Sequence, residues 1–211
     1  NFSGSIVQWT VPSTGYYDVT AYGAQGGGFT AYADTQRAFS VPGGRGAVIG
    51  GLFLFEQGEV LSILAGGAGG ADFASGGGGS FVVNSSTNPL VVAGGGGGTA
   101  AAGSYWPSAS ITTSGNNATY VNENRQGSGG TNGTGGTIGS APSSSAKGGA
   151  GGGGFFGNGQ SHYGEAPNFA ASDMYAAGGT SYVDGGAGGS GGYYYIANTP
   201  NPIVDPGYIK W

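Results

Sequence analysis

Residues 89–98 read PLVVAGGGGG and join a strand-like apolar segment directly to five consecutive glycines. Glycine makes up 52 of the 211 residues, and its runs lack the regular spacing of collagen. Glycine content of this kind usually indicates disorder, but apolar segments such as residues 80–83 can bury a core. A glycine run can instead order as an extended left-handed helix with three residues per turn, whose backbone groups must bond to neighbouring chains. We therefore predict ordered glycine helices beside a β-structure, with a β-sandwich carrying floppy glycine loops as the alternative.

The composition narrows the classes of function. Only 15 residues are charged, and the net charge is −5, so nucleic acid is not expected as a partner because phosphate binding needs clustered Lys and Arg. The absence of cysteine excludes disulfides and cysteine-based metal sites. The longest apolar stretch, 47–55, is interrupted by glycines and too short to span a bilayer. The chain opens without Met, which we take to indicate a signal peptide already removed and an extracellular location.

Alternating apolar and polar residues predict strands, and no stretch predicts an α-helix. Residues 1–23 read as a β-hairpin, in which Val7, Trp9 and Val11 precede a turn at 12–15 and a second alternating run. Further strands are predicted at 48–55, 60–65, 80–83, 90–93, 193–196 and 207–211. The four glycine runs predicted to pack side by side are 76–79, 94–98, 148–154 and 185–192. Valine at Gly96 is expected to be severely destabilising.

Several motifs together resemble the extracellular glycine-rich domain family, found in bacterial and protist surface proteins and in the ectodomain of anaplastic lymphoma kinase receptors. They bracket the chain, whereas the insertions 99–147 and 155–184 match nothing recognisable. The motifs are FSGSIVQWTVP at 2–12, GYYDVTAYGAQGG at 15–27, GGRGA at 43–47, GEVLSILAGG at 58–67, GGGGS at 76–80, PLVVAGGGGG at 89–98 and GYI at 207–209.

The resemblance implies an all-β fold: a jelly-roll-like β-sandwich with an inserted bundle of left-handed polyglycine II helices, an architecture also used by some phage tail-tip adhesins. It implies one domain over 1–211, with strands mainly in 1–65, 80–93 and 193–211 and the glycine helices and insertions in 66–79 and 94–192. The chain departs from the receptor members in having no cysteine. Their cytokine-binding role and functional residues are therefore not carried over.

Patterns typical of enzymes arise here from glycine content alone. Residues 188–192 fit a nucleophile elbow, but no helix pattern follows, and the single histidine, His162, has no partner motif. Residues 149–154 fit a dinucleotide fingerprint without the helix that it needs. The acidic residues are dispersed and do not form a calcium loop. We therefore predict a non-enzymatic protein with no catalytic residues, cofactor or metal.

Two sets of residues are candidates for contacts and modification. Aromatic residues in insertions between glycine runs can form surfaces for partners or sugars, and an uncharged strand near a chain end can pair with another chain. The interaction candidates are Val7, Trp9, Val11, Tyr105, Trp106, Phe155, Phe156 and Tyr163. Four Asn-x-Ser/Thr sequons give the glycosylation candidates Asn1, Asn84, Asn117 and Asn132.

Two hypotheses follow for function. In the first, the chain is a structural subunit of an extracellular fibre or coat that assembles with copies of itself, because so neutral a surface is expected to be covered by glycan or by other copies. In the second, it is an adhesin or receptor-binding module that presents the insertions 99–147 and 155–184 to a cell-surface protein or glycan. Ice binding by a flat face of glycine helices is a further alternative.

Overall fold

The computed structural model describes residues 5–34, 37–70, 75–99, 108–111, 115–116, 128–137, 151–160, 162–163 and 175–176. This part of the chain has no helix, and its strands pair in antiparallel sheets, so the predicted all-β class is confirmed there. The strands are β1 (Val7–Thr10), β2 (Gly15–Tyr22), β3 (Phe29–Asp34), β4 (Arg37–Val41), β5 (Val48–Phe55), β6 (Val60–Leu64), β7 (Ser80–Val83), β8 (Pro89–Ala93), β9 (His162–Tyr163) and β10 (Tyr175–Ala176).

Two sheets share one apolar core. The first has four strands in the order β1-β6-β7-β8, and the second pairs β2 with β5; β3–β4 and β9–β10 form separate pairs. Side chains alternate between the two faces of a strand, so every second residue points into the space between the sheets, and those residues are mainly apolar. The buried residues of this core are Val11, Ala21, Ala47, Phe55, Leu61, Val82, Val91 and Ala93.

The predicted hairpin over residues 1–23 is wrong. β1 pairs with β6, with Trp9 opposite Leu61, whereas β2 pairs with β5 in the other sheet. The rings of Trp9 and Tyr17 meet edge to face across the core, with centroids 5.6 Å apart. Val11 continues the pairing of β1 with the chain before β6. Its N–H donates to the Glu59 carbonyl at 2.8 Å, and its carbonyl accepts from Gly58 N–H at 2.9 Å. The β1–β2 and β5–β6 connections are thereby held together where the chain passes between sheets.

The second face of the four-stranded sheet is covered by an aromatic residue from an insertion. Leu64, Phe81 and Val83 are buried there together with Phe155, which follows the glycine run 151–154. The rings of Phe81 and Phe155 lie 5.4 Å apart in an edge-to-face arrangement. Because apolar residues occupy both faces of β7, all four of its residues are buried. This strand lies at the centre of the described fold.

The glycine segments bond to one another sideways through their backbones. Within segment 23–28, amides three residues apart donate to the same neighbour, one pair to segment 42–47 and the other to segment 75–79. The bonds are Gly23 N to Ala47 O (2.8 Å), Gly26 N to Gly44 O (2.9 Å), Ala24 N to Gly78 O (3.0 Å) and Gly27 N to Ser75 O (2.6 Å). The repeat of three differs from the repeat of two in a strand.

Segment 94–99 shows the same repeat. Two of its amides, three residues apart, donate to segment 23–28, and two of its carbonyls, also three apart, accept from segment 42–47. The bonds are Gly96 N to Ala24 O (2.9 Å), Thr99 N to Gly27 O (3.1 Å), Ala47 N to Gly94 O (2.9 Å) and Gly44 N to Gly97 O (2.9 Å). Lateral backbone bonding is therefore observed for the predicted runs 76–79 and 94–98, and for the described part of run 148–154, where Gly153 N–H donates to the Gly77 carbonyl at 2.9 Å.

Close approach of these backbones requires glycine at specific positions. A Cβ built on Gly96 would overlap the carbonyl oxygen of Gly44, and one on Gly95 would overlap that of Gly77. Gly94 differs, because the nearest atom to its Cβ position is the carbonyl oxygen of Gly153 at 3.8 Å. Ala68, which interrupts segment 65–70, is exposed, as expected for a residue with a side chain.

Other predicted elements fall elsewhere in the chain. The predicted strands at 193–196 and 207–211 and the glycine run 185–192 lie outside the described residues. No helix in the described part is long and apolar enough to cross a membrane.

Candidate interaction surface

The sheet of β2 and β5 turns one face to the core. The two strands pair along their full lengths, from Gly15 opposite Phe55 to Tyr22 opposite Val48. Burial alternates along both strands. The inward side chains include Tyr17, Val19, Ala21, Ile49 and Phe53, which pack into or against the shared core. The residues that alternate with these along each strand therefore point away from the core.

The face of this sheet that points away from the core, here called the β2–β5 outer face, is largely apolar. It consists of Tyr16, Asp18, Thr20, Tyr22, Val48, Gly50, Leu52 and Leu54. The large apolar side chains are exposed as follows: Tyr16 71%, Leu52 68%, Tyr22 67%, Leu54 59% and Val48 52%.

The composition of the β2–β5 outer face is unusual for a surface in contact with water. An antiparallel sheet with one buried face normally carries polar residues on the other. Here five large apolar side chains lie on two adjacent strands, and Asp18, opposite Leu52, carries the only charge among the eight residues of the face. Contiguous exposed apolar surface marks sites of protein–protein contact. The β2–β5 outer face is therefore the strongest candidate interaction surface in the described residues.

Strand β1 offers a second feature suited to contact with another chain. Among the described strands it pairs with β6 alone and lies at the edge of the four-stranded sheet. It contains neither charge nor proline, which are common means of protecting an edge strand. Val7 on this strand is half exposed, and Gln8 is tied to Ser62 of β6 by a side-chain hydrogen bond of 3.0 Å.

The structure separates the predicted interaction candidates into different environments. Val7 is accessible and Trp9 half-buried, whereas Val11 is fully buried in the core and so supports the fold rather than a surface. Of the adjacent phenylalanines, Phe155 is buried and Phe156 is 69% exposed. Tyr163 lies on β9, where only the backbone is described, and Tyr105 and Trp106 lie outside the described residues.

Two of the four sequons are described. Asn84 begins the loop between β7 and β8, and its side-chain oxygen accepts hydrogen bonds from the amides of Ser86 (3.0 Å) and Asn88 (2.9 Å). Asn132 is exposed in a turn. Asn1 and Asn117 lie outside the described residues. Asn84 therefore has a role in its own loop, whereas Asn132 projects into solvent.

The sequence pattern conceals the β2–β5 outer face because apolar residues occupy both faces of its strands. Tyr16 and Tyr17 are adjacent, and LFLF at 52–55 is a continuous apolar run, so the period of two is hidden. A continuous run of this kind is normally assigned to a strand buried on both sides. The run LFLF at 52–55 is nevertheless more apolar than expected for a strand with one face in water, and this excess indicates the exposed apolar face.

Neither metal-binding side chains nor similarity to known proteins identifies a function for the chain. No group of three His, Asp or Glu side chains that could hold a metal ion occurs in the described part of the chain. No protein-family model matches the chain, and no curated protein matches it. Its function must therefore be inferred from its own residues and their placement.

Proposed function

We propose that the chain folds as a jelly-roll-like β-sandwich with an inserted bundle of left-handed polyglycine II helices. The bonding repeat of three supports this, since such a helix has three residues per turn and no internal hydrogen bonds. Among the described glycines only Gly58 and Gly133 have positive φ, and neither lies in a glycine segment of the bundle. Negative φ agrees with the left-handed form. The resemblance to extracellular glycine-rich domains points the same way.

We propose further that the protein is a non-enzymatic structural subunit of an extracellular fibre or coat. The observation that carries this is the β2–β5 outer face, which exposes five large apolar side chains on two paired strands. Covering apolar surface contributes about 25 cal/mol per Å². In a homopolymer a second copy of the chain covers this face. That copy is present at the same concentration and carries equally few charges.

Strand β1 can fix the orientation of one copy relative to the next, which apolar contact alone does not. A strand added to its edge gains main-chain hydrogen bonds, and the alternation of side chains fixes the register. The glycine bundle supplies stiffness, because its backbones are held on several sides at once. A subunit with an exposed apolar sheet face, a strand at the edge of the described four-stranded sheet and a stiff glycine bundle fits the requirements of a fibre.

Assembly is expected to depend only weakly on salt. The β2–β5 outer face carries one charge, and the whole chain only 15. Salt therefore has few charge–charge interactions to screen. Sedimentation of the purified protein over a range of concentrations, at about 0.05 M and about 0.5 M NaCl, measures this. We expect large particles under both conditions. A monomer at high concentration in both would overturn the fibre proposal.

Exposed Phe156 favours a second candidate, an adhesin or receptor-binding module. Its neighbour Phe155 is anchored on the four-stranded sheet, so the ring of Phe156 is held at the surface of an insertion rather than on a free loop. Aromatic rings displayed in this way can contact a protein or a sugar. A monomer that binds cells, and loses binding with Phe156→Ala, would favour this candidate over the fibre.

A further inference from the structure

The turn at residues 131–134 holds a sequon in a fixed geometry. Asn132 and Gly133 have φ of 50° and 83°, the positive values found at both central positions of a type I′ turn. Thr134 N–H donates to the Thr131 carbonyl at 3.0 Å, and the Thr134 hydroxyl donates to the same carbonyl at 2.8 Å. Thr131 N–H donates to that hydroxyl at 3.0 Å. The turn is closed on both sides, and Asn132 is exposed at its corner.

An exposed aromatic ring contacts this turn from a distant part of the chain. The N–H of Phe156 donates to the Gly133 carbonyl at 2.7 Å, and a Cβ at Gly133 would lie 2.8 Å from Cδ2 of Phe156. Phe155 packs edge to face against Phe156, with centroids 4.8 Å apart, and is itself buried. The ring of Phe156 is thereby held over the turn, yet 69% of the residue remains exposed.

We propose that Asn132 is N-glycosylated and that the first sugar of the glycan packs against Phe156. A pyranose presents C–H groups on its faces, and the Phe156 ring lies beside Gly133, the residue after the attachment point, so packing of the sugar on this ring would remove apolar surface of both from water. The inference rests on the proposed extracellular location, since it requires passage through a glycosylating secretory route. It does not depend on fibre assembly.

The modification is a group transfer from a polyprenyl-pyrophosphate-linked oligosaccharide. The side-chain nitrogen of Asn132 bonds to the anomeric carbon, and the bond from that carbon to the pyrophosphate oxygen breaks. The nitrogen loses one proton to a base of the transferase, and the polyprenyl pyrophosphate leaves with the electron pair. Because the Thr134 hydroxyl is engaged within the folded turn, attachment must precede folding of residues 131–134.

The test uses a chain in which Asn132 is the only sequon. Ser3→Ala, Ser86→Ala and Thr119→Ala remove the other three, and Ser86→Ala keeps the backbone bonds of the 84–88 loop. The full chain is secreted from a eukaryotic host, and peptide mass spectrometry measures occupancy at Asn132. We expect occupancy in this chain and in its Thr134→Ser derivative, and none with Thr134→Ala. An unmodified Asn132 in the parent chain would overturn the proposal.

Packing of the sugar is tested separately from its attachment. In the single-sequon chain, complete removal of the glycan is expected to lower the melting temperature by roughly 2–4 °C, whereas trimming to the first sugar has no effect. In a Phe156→Ala derivative, complete removal should leave the melting temperature unchanged. If complete removal of the glycan lowered the melting temperature equally with and without the Phe156 ring, packing of the sugar on that ring would be overturned. This outcome does not depend on whether the protein forms fibres.

Discussion

Replacing Gly96 by alanine is expected to destabilise the fold by about 3–5 kcal/mol, since overpacking costs about 1–3 kcal/mol and each lost hydrogen bond about 1 kcal/mol. The Gly96 amide donates to Ala24, and its carbonyl accepts from Gly77 N–H at 2.8 Å. A methyl group at this position would overlap the Gly44 carbonyl. All three neighbours are backbone, so no side chain can move aside, and a segment must shift and break its bonds. Denaturant unfolding measures the loss.

Gly94 provides a matched control in the same run. Its Cβ position is open to 3.8 Å, so Gly94→Ala should be neutral or stabilise by up to about 1 kcal/mol through the reduced entropy of the unfolded chain. The contrast separates steric exclusion within the bundle from a general effect of alanine on a flexible glycine run. Equal effects of the two substitutions would contradict ordered packing of the glycine segments.

Replacing Leu52 by lysine is expected to raise the concentration needed for assembly steeply while leaving the fold intact. Leu52 is 68% exposed, so its loss removes little from the core. The introduced lysine lies opposite Asp18 on β2, and opposite charges across a strand pair are tolerated or favourable. Within the proposed contact between copies, the charge must be desolvated, which we expect to cost at least about 2 kcal/mol, or roughly thirtyfold in the concentration needed for assembly. Sedimentation measures that concentration.

Gln57→Lys adds the same charge outside the eight residues of the β2–β5 outer face, in the turn beyond the end of the sheet. Gln57 is exposed in the turn between β5 and β6, where its backbone amide, not its side chain, bonds to Thr14 at 2.9 Å. We expect this variant to assemble like the unmodified protein. If both variants assembled normally, contact between copies would have to use another surface; if both failed, net charge rather than the face would be responsible.

The sequence predicted strand positions better than strand partners. The strands predicted at 48–55, 60–65, 80–83 and 90–93 follow from apolar runs bounded by turns, and strands are observed there to within one residue at each end. Alternation identifies which face of a strand is buried but not which strand lies beside it, so the β1–β2 hairpin was wrongly predicted. The true pairing depends on contacts between Val11 and the turn at 56–59, which are distant in the sequence.

The lateral bonding between glycine segments was predicted in part. Runs of four or more glycines at 76–79 and 94–98 were identified, but segments 23–28 and 42–47 were assigned to the strand-bearing part of the chain. Gln25 and Arg45 interrupt these segments and hide their glycine pattern. Both residues are exposed, although the Gln25 side-chain amide donates to the Gly43 carbonyl at 3.0 Å, and the three-residue repeat permits them because only some positions face a neighbouring backbone. A search for glycine at intervals of three would have found them.

Amide hydrogen exchange, compared between assembled protein and the monomer expected from Leu52→Lys, tests the proposed ordered bundle and assembly surface together. We expect segments 75–79 and 94–99 to be protected in both states, because their amides donate to neighbouring backbones within one chain. Strands β1, β2 and β5, which already pair with neighbouring strands in the monomer, should become more strongly protected on assembly. Exchange of segment 94–99 at the rate of an unstructured chain in both states would contradict the ordered glycine bundle, and unchanged exchange of β1, β2 and β5 would contradict the assembly surface.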